Sequence, residues 1–285
     1  MIAAPARRFA PSAPPRAREG GLAMKRENAG SRLVKEPSSG ATSFRASRQD
    51  GFPMPERFGI YFAPAVTSPL WTLAAQWLGR DAATGEESES VAGGLSFAER
   101  LPLTVSARRY GFHATLKAPM ALDARLEGKD LDRALKAWTE QHAPVDIGPL
   151  VLKPLDGFLA LVPAEQSAAL TDFVSAVVVD FDGFRAAVTP EERARRTAGG
   201  HLTPRQVELL DRLGYPYVLE EFRFHMTLTD RLGVADADRF RAAALQWFAP
   251  VIGQHVVLDR LVLFREAEPG LPFARLRDYP LKGEA

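Results

Sequence analysis

Two seven-residue segments of this chain repeat one another: Tyr110-Gly-Phe-His-Ala-Thr-Leu116 and Phe222-Arg-Phe-His-Met-Thr-Leu228. Both read aromatic-x-Phe-His-x-Thr-Leu, and their histidines stand 112 positions apart. With five histidines and 13 threonines among 285 residues, about 0.2 His-x-Thr triplets are expected by chance; the matched Phe and Leu make coincidence rarer still. In a strand, alternate side chains face opposite ways. Phe112, Ala114 and Leu116 then form an apolar face, with His113, Thr115 and Lys117 on the polar one. In the second copy Phe224, Met226 and Leu228 oppose Arg223, His225, Thr227 and Thr229. The fold must bury one side of two distant strands and leave the other side of each open.

The rest of the chain supplies elements around both copies. Phe58–Phe62 alternates as a strand, and Ser68-Pro69 caps a helix over Leu70–Leu78 that Gly79 closes. Residues 81–94 read as an exposed loop. A second helix is predicted over Asp130–Gln141, strands over Val145–Lys153 and Phe158–Val162 joined by Asp156-Gly157, and a third helix over Ala164–Val179. Thr189-Pro190 and Thr203-Pro204 each open a helix, the first carrying Arg193, Arg195 and Arg196. The second motif strand spans Glu221–Thr229. A helix over Asp236–Phe248, a long strand over Val256–Phe264 and an edge strand near Phe273–Leu276 complete the pattern. Antiparallel-type strands mixed with helices predict an α+β fold. The internal repeat makes it bilobal and pseudo-twofold, with two antiparallel sheets and flanking helices around a central cleft. The lobes are expected at residues 56–165 and 166–282.

Charge divides the chain differently. Residues 1–53 carry ten Lys/Arg against four Asp/Glu, a net of +6, and the remainder has 26 against 31, a net of −5. The first 55 residues, rich in Pro, Gly, Ser, Ala and Arg, are expected to be a disordered basic extension, with Met54 as an alternative start. The acidic body argues against a long nucleic acid as partner. There are no cysteines, which excludes disulfides, thiol nucleophiles and thiolate metal sites. No apolar run approaches the ~18–20 residues that span a bilayer, and the N-terminus lacks a secretory signal, so a cytoplasmic protein is expected.

Two histidines presented alike suit a general acid and a general base, since imidazole titrates near neutrality. Thr115 and Thr227 offer short donors without charge, and Lys117 or Arg223 could add attraction for an anion. A phosphate is the natural guest. His-x-Thr is not a zinc-ligand spacing, and no cofactor is expected.

The paired motifs resemble the two-histidine (2H) phosphoesterase superfamily. The runs Tyr61-Phe-Ala-Pro64, Trp77-Leu-Gly-Arg-Asp81, Arg109–Lys117 and Gly214–Leu228 look like its branch found with bacterial phosphonate-utilisation operons. The resemblance covers about residues 54–282. It implies metal-independent hydrolysis of cyclic phosphodiesters, with His113 and His225 as the acid/base pair and Thr115 and Thr227 binding phosphate. Lys117, Arg223 and Tyr61 are further candidates for the substrate. A small sugar cyclic phosphate of phosphonate metabolism leads, with 2′,3′-cyclic ends of RNA or nucleotides second. A non-catalytic regulator that binds a nucleotide or phosphonate is the third reading. The arginine-rich helix reads first as a solvated face, but folded over the cleft it would offer a second phosphate its cations. Oligomeric state and the assignment of acid and base are not legible.

Overall fold

The computed structural model of the chain describes residues 55–284; the basic extension expected at 1–55 lies almost wholly outside them. Eight strands are described: β1 (Arg57–Phe62), β2 (Ala114–Met120), β3 (Val145–Leu155), β4 (Phe158–Pro163), β5 (Met226–Thr227), β6 (His255–Leu258), β7 (Arg260–Glu266) and β8 (Ala274–Pro280). The α-helices are α1 (Pro69–Leu78), α2 (Phe97–Arg100), α3 (Val105–Tyr110), α4 (Gly128–Thr139), α5 (Ala168–Asp180), α6 (Pro190–Thr197), α7 (Pro204–Leu213) and α8 (Val234–Phe248). Among the described residues no helix is long and apolar enough to cross a membrane.

The α+β class holds, and all strand pairs are antiparallel. The expected pair of sheets is joined into one of eight strands, in the order β6-β3-β4-β5-β2-β1-β7-β8. The two motif strands, β5 and β2, are its centre, and each half adds three strands outward. Those halves do not divide at residue 165: β3 and β4 lie with β5, whereas the C-terminal β7 and β8 lie with β1. The long strand expected over 256–264 is broken at Asp259. β6 pairs with β3 at one edge, while β7 pairs with β1 and β8 near the other. A single residue bridging strands so far apart in the order requires a strongly curled sheet.

Helices cover the apolar face. α5 packs on β2 and β3, α4 on β7 and β8, and α1 against α8. Ser68 caps α1, its Oγ accepting from Trp71 N at 3.2 Å, and Gly79 ends it at a left-handed φ of 69°. Trp77 of α1 is fully buried against Phe240 and Phe248 of α8, and its indole N–H donates to Leu228 O at 2.9 Å. That bond ties the core helices to the end of the second motif. The segment 81–94 is less exposed than its composition suggests: Ala82 and Ala92 are buried.

Candidate active site

Residues 112–116 and 224–228 have the predicted facing, but Thr229, expected on the polar face, is fully buried and accepts from Leu159 N at 2.9 Å. Phe112, Ala114, Leu116, Phe224, Met226 and Leu228 are all buried, and His113, Thr115, His225 and Thr227 are half-buried on the other side. Antiparallel pairing sets Ala114 opposite Met226. His113 therefore stands beside Thr227, and Thr115 beside His225. The result is a two-by-two array with histidines on one diagonal and threonines on the other. Diagonal neighbours in such a pair lie about 7–8 Å apart, wide enough for a phosphate to sit between the imidazoles.

The second motif forms only two residues of regular strand because its preceding backbone bonds to a side chain. Phe224 N donates to Gln166 Oε1 at 2.7 Å, and Gln166 Nε2 donates to Phe222 O at 3.1 Å. The Gln166 amide thus takes the place of a strand partner and holds His225 at the end of β5.

The two rings are oriented alike. His113 Nδ1 lies 2.8 Å from Gly111 O, and His225 Nδ1 lies 2.7 Å from Arg223 O. A carbonyl only accepts, so Nδ1 carries the hydrogen in both rings and Nε2 is the nitrogen with chemistry to do. His113 Nε2 is 3.1 Å from Thr115 Oγ1, whose hydroxyl donates to it. Gly111 makes the first turn possible: its φ is 77°, and a Cβ there would meet Ala82 Cβ at 2.5 Å.

Tyr61 of β1 stands opposite Thr115 and stacks on His113, with ring centroids 3.9 Å apart and planes at 21°. Burial chiefly lowers the His113 pKa to about 4; the Gly111 carbonyl opposes this and the His225 charge adds to it. His113 is therefore neutral over the physiological range. Burial likewise pushes the Tyr61 phenol well up and keeps it protonated. His225 borders Phe158 of β4, ring centroids 5.8 Å apart.

Two cavities flank Thr115. One, of about 500 Å³, lies on the His225 side and includes Phe158, Tyr217, Arg223 and Arg231 with Asp156 and Glu221. The other, of about 260 Å³, lies on the His113 side and includes Arg57, Tyr61, Tyr110, Arg196 and Tyr215. Arg223 and Tyr61 thus border the site as expected. Phe158, Arg57 and Tyr215 were not singled out from the sequence, because nothing local marks a strand or turn residue as facing a distant motif. Among the described residues no cluster of three or more His, Cys, Asp and Glu could hold a metal ion.

Lys117 is not in the groove. The β1–β2 register shifts between Ile60↔Lys117 and Tyr61↔Thr115, an irregularity that disrupts the alternation, and Leu116 and Lys117 are both buried. The Lys117 ammonium donates to Val178 O at 2.9 Å and to Asp182 Oδ1 at 3.2 Å, on the helix side. Its role here is structural. Lys117→Met is expected to lower stability by about 1–3 kcal/mol in urea unfolding, by orphaning Val178 O, and to leave phosphoester turnover little changed. A large loss of turnover at unchanged stability would return Lys117 to the site.

Two strands presenting His and Thr on one open face of an α+β sheet define the chain's class of site. The chain belongs to the family described as Protein of unknown function (DUF1045), which matches residues 115–274. It is 38% identical over 233 residues to ribose 1,5-bisphosphate phosphokinase PhnN of Janthinobacterium sp. (strain Marseille), covering 80% of this chain and 51% of that protein. With the protein of the same name from Laribacter hongkongensis (strain HLHK9) it shares 34% identity over 222 residues, 78% of this chain and 51% of the other. The chain spans about half the length of these curated relatives. A solved phosphoesterase structure is similar at 11% identity and a TM-score of 0.35, over 80% of this chain and 99% of its own. That likeness is too low to transfer any property.

Proposed function

We propose that the chain is a metal-independent cyclic phosphodiesterase acting on a small sugar cyclic phosphate. The observation that carries this reading is the diagonal array, in which two identically oriented imidazoles flank two hydroxyl donors. A phosphate centred on it directs two non-bridging oxygens at Thr115 and Thr227, and its attacking and departing oxygens at the two Nε2 atoms.

The depressed pKa makes His113 the base. Substrate displaces the Thr115 hydroxyl from His113 Nε2. Water attacks phosphorus while one ring P–O bond breaks. The water proton passes to His113 Nε2, and protonated His225 gives its Nε2 proton to the departing sugar oxygen. The product is an acyclic phosphomonoester and a freed hydroxyl, and solvent resets both rings.

The relatives' name supports a ribose phosphate as substrate. This chain contains no G-x-x-x-x-G-K-S/T run, so the phosphokinase activity they are named for is not assigned to it. Opening a 1,2-cyclic phosphate of ribose 5-phosphate at its O2–P bond would yield ribose 1,5-bisphosphate, the compound in that name. A 2′,3′-cyclic nucleotide is the second reading, favoured by Phe158 and Tyr217 in the larger cavity, on which a base could stack. Incubating the protein in EDTA with each compound and following phosphorus NMR tests both. A new monoester resonance from the ribose cyclic phosphate is expected; turnover of the nucleotide alone would select the second reading, and dependence on added metal would sink the mechanism.

A further inference from the structure

The cavity beside His113 is cationic, and the hydrolysis just described does not use its charge. Arg57 enters it from β1 and Arg196 from α6, and none of the residues lining it is acidic. Each guanidinium is held from behind. Arg57 donates through Nε and Nη2 to the fully buried Glu266, which also pairs with Arg109. Arg196 donates through Nε and Nη2 to Glu192, which Arg195 also approaches. Each carboxylate therefore serves two arginines, and each cluster keeps a net charge of +1. Among the described residues, Nη1 of Arg57 and Nη1 of Arg196 have no hydrogen-bond partner. The carboxylates orient these arginines, so little side-chain freedom remains to be lost on binding, while the surplus cation of each cluster, Arg109 or Arg195, lies outside the cavity lining.

Phenols complete the wall. Arg196 lies over Tyr215, 5.5 Å from its ring centroid. The Tyr61 hydroxyl is buried with no hydrogen-bond partner, and Tyr110, Arg57 and Tyr215 are among the groups that act on it. The other members of the arginine-rich helix point elsewhere: Arg193 pairs with Asp211 at 2.5 Å, and Arg195 is exposed. Across Thr115, the larger cavity offsets Arg223 and Arg231 with Asp156 and Glu221. The two ends of the groove therefore differ in charge.

We propose that the Arg57–Arg196 cavity is a second anion site, taking a dianionic phosphomonoester that the substrate carries beside its scissile phosphate. Two guanidiniums lining one cavity free of acidic residues suit a doubly charged tetrahedral group better than a singly charged carboxylate. The site fixes substrate orientation, with the monoester on the His113 side and the freed hydroxyl on the His225 side. The inference rests on the phosphodiesterase reading for the scissile group, but the anion site can be tested without turnover.

The test compares ribose 5-phosphate 1,2-cyclic phosphate with ribose 1,2-cyclic phosphate, using wild type and Arg196→Gln. Arg196→Gln should lower kcat/KM for the first substrate by about 10- to 100-fold and leave the second unchanged. Equal effects on both, or none on either, would overturn the proposal. Calorimetric binding of ribose 5-phosphate is measured in parallel, with Arg193→Gln, on the same helix but paired with Asp211 away from the cavity, as a control. Weakening by Arg196→Gln alone supports the anion site even if neither cyclic compound turns over, which would be a failure of the hydrolase reading only. Binding unaffected by Arg196→Gln, or no binding by wild type, overturns it.

Discussion

His113→Ala and His225→Ala are each expected to lower kcat by about 10²- to 10⁴-fold, the usual contribution of a positioned acid or base. The double variant should lose little beyond the worse single one, because the two groups act in one step. The pH profile separates them. His113 must be neutral to accept a proton, and its pKa is lowered to about 4. In wild type, kcat/KM should therefore hold as pH falls through 6 and 5, and drop only near 4. Tyr61→Ala removes the ring that shields His113 and should move the acid limb upward, toward the ordinary imidazole value of 6.5. An acid limb that stays put in Tyr61→Ala would show that stacking does not set the base. Unchanged turnover in either alanine variant would remove that histidine from the mechanism.

Arg100→Met is expected to cost about 3–5 kcal/mol in urea unfolding, a large part of a typical domain's stability. Arg100 is fully buried and meets backbone carbonyls instead of a carboxylate. It donates to Trp77 O at 2.9 Å, Gln76 O at 3.2 Å, Ser90 O at 2.6 Å and also Leu95 O. Gln76 and Trp77 are in the last turn of α1, where the helix dipole favours a cation and Trp77 O has no backbone partner, though Gln76 O also accepts from Gly79 N at 3.2 Å. One guanidinium thus caps α1 and stitches residues 90–95 beneath it. Burial lowers the Arg100 pKa, a sign of the desolvation that the four bonds offset. Methionine avoids that penalty but orphans the Trp77 and Ser90 carbonyls, at about 1–3 kcal/mol for each one water cannot reach, while Gln76 O keeps Gly79 N and Leu95 O keeps Ala92 N. Arg100→Lys, with its charge but a smaller donor set, should fall between. An unchanged urea midpoint for Arg100→Met would mean water replaces the guanidinium.

Much of the site was legible because strand periodicity is local. The His-x-Thr alternation set which side of each motif is buried, and the Ser68, Thr189 and Thr203 caps lie where the sequence puts them. The α+β class followed from the same patterns. The errors share one cause. Lys117 has the spacing of a groove residue, yet the irregular pairing of β2 with β1 turns it toward α5. The run 256–264 reads as one strand, but its two parts pair with opposite sides of the sheet. Residues 222–225 have strand character but bond to Gln166 instead of a neighbouring strand. In each case the outcome depends on hydrogen-bond partners distant in the chain.

By itself, then, the sequence determined that two strands exist, that each exposes a histidine and a threonine, and that these outward residues are matched. Facing is a property of adjacent residues, and seven of them suffice to encode it. Only the tertiary structure decided that the strands are immediate neighbours, with Ala114 against Met226, so that each histidine stands beside the other motif's threonine. Register is set by cross-strand hydrogen bonds between segments more than a hundred residues apart, and a slip of one residue would turn the array inside out.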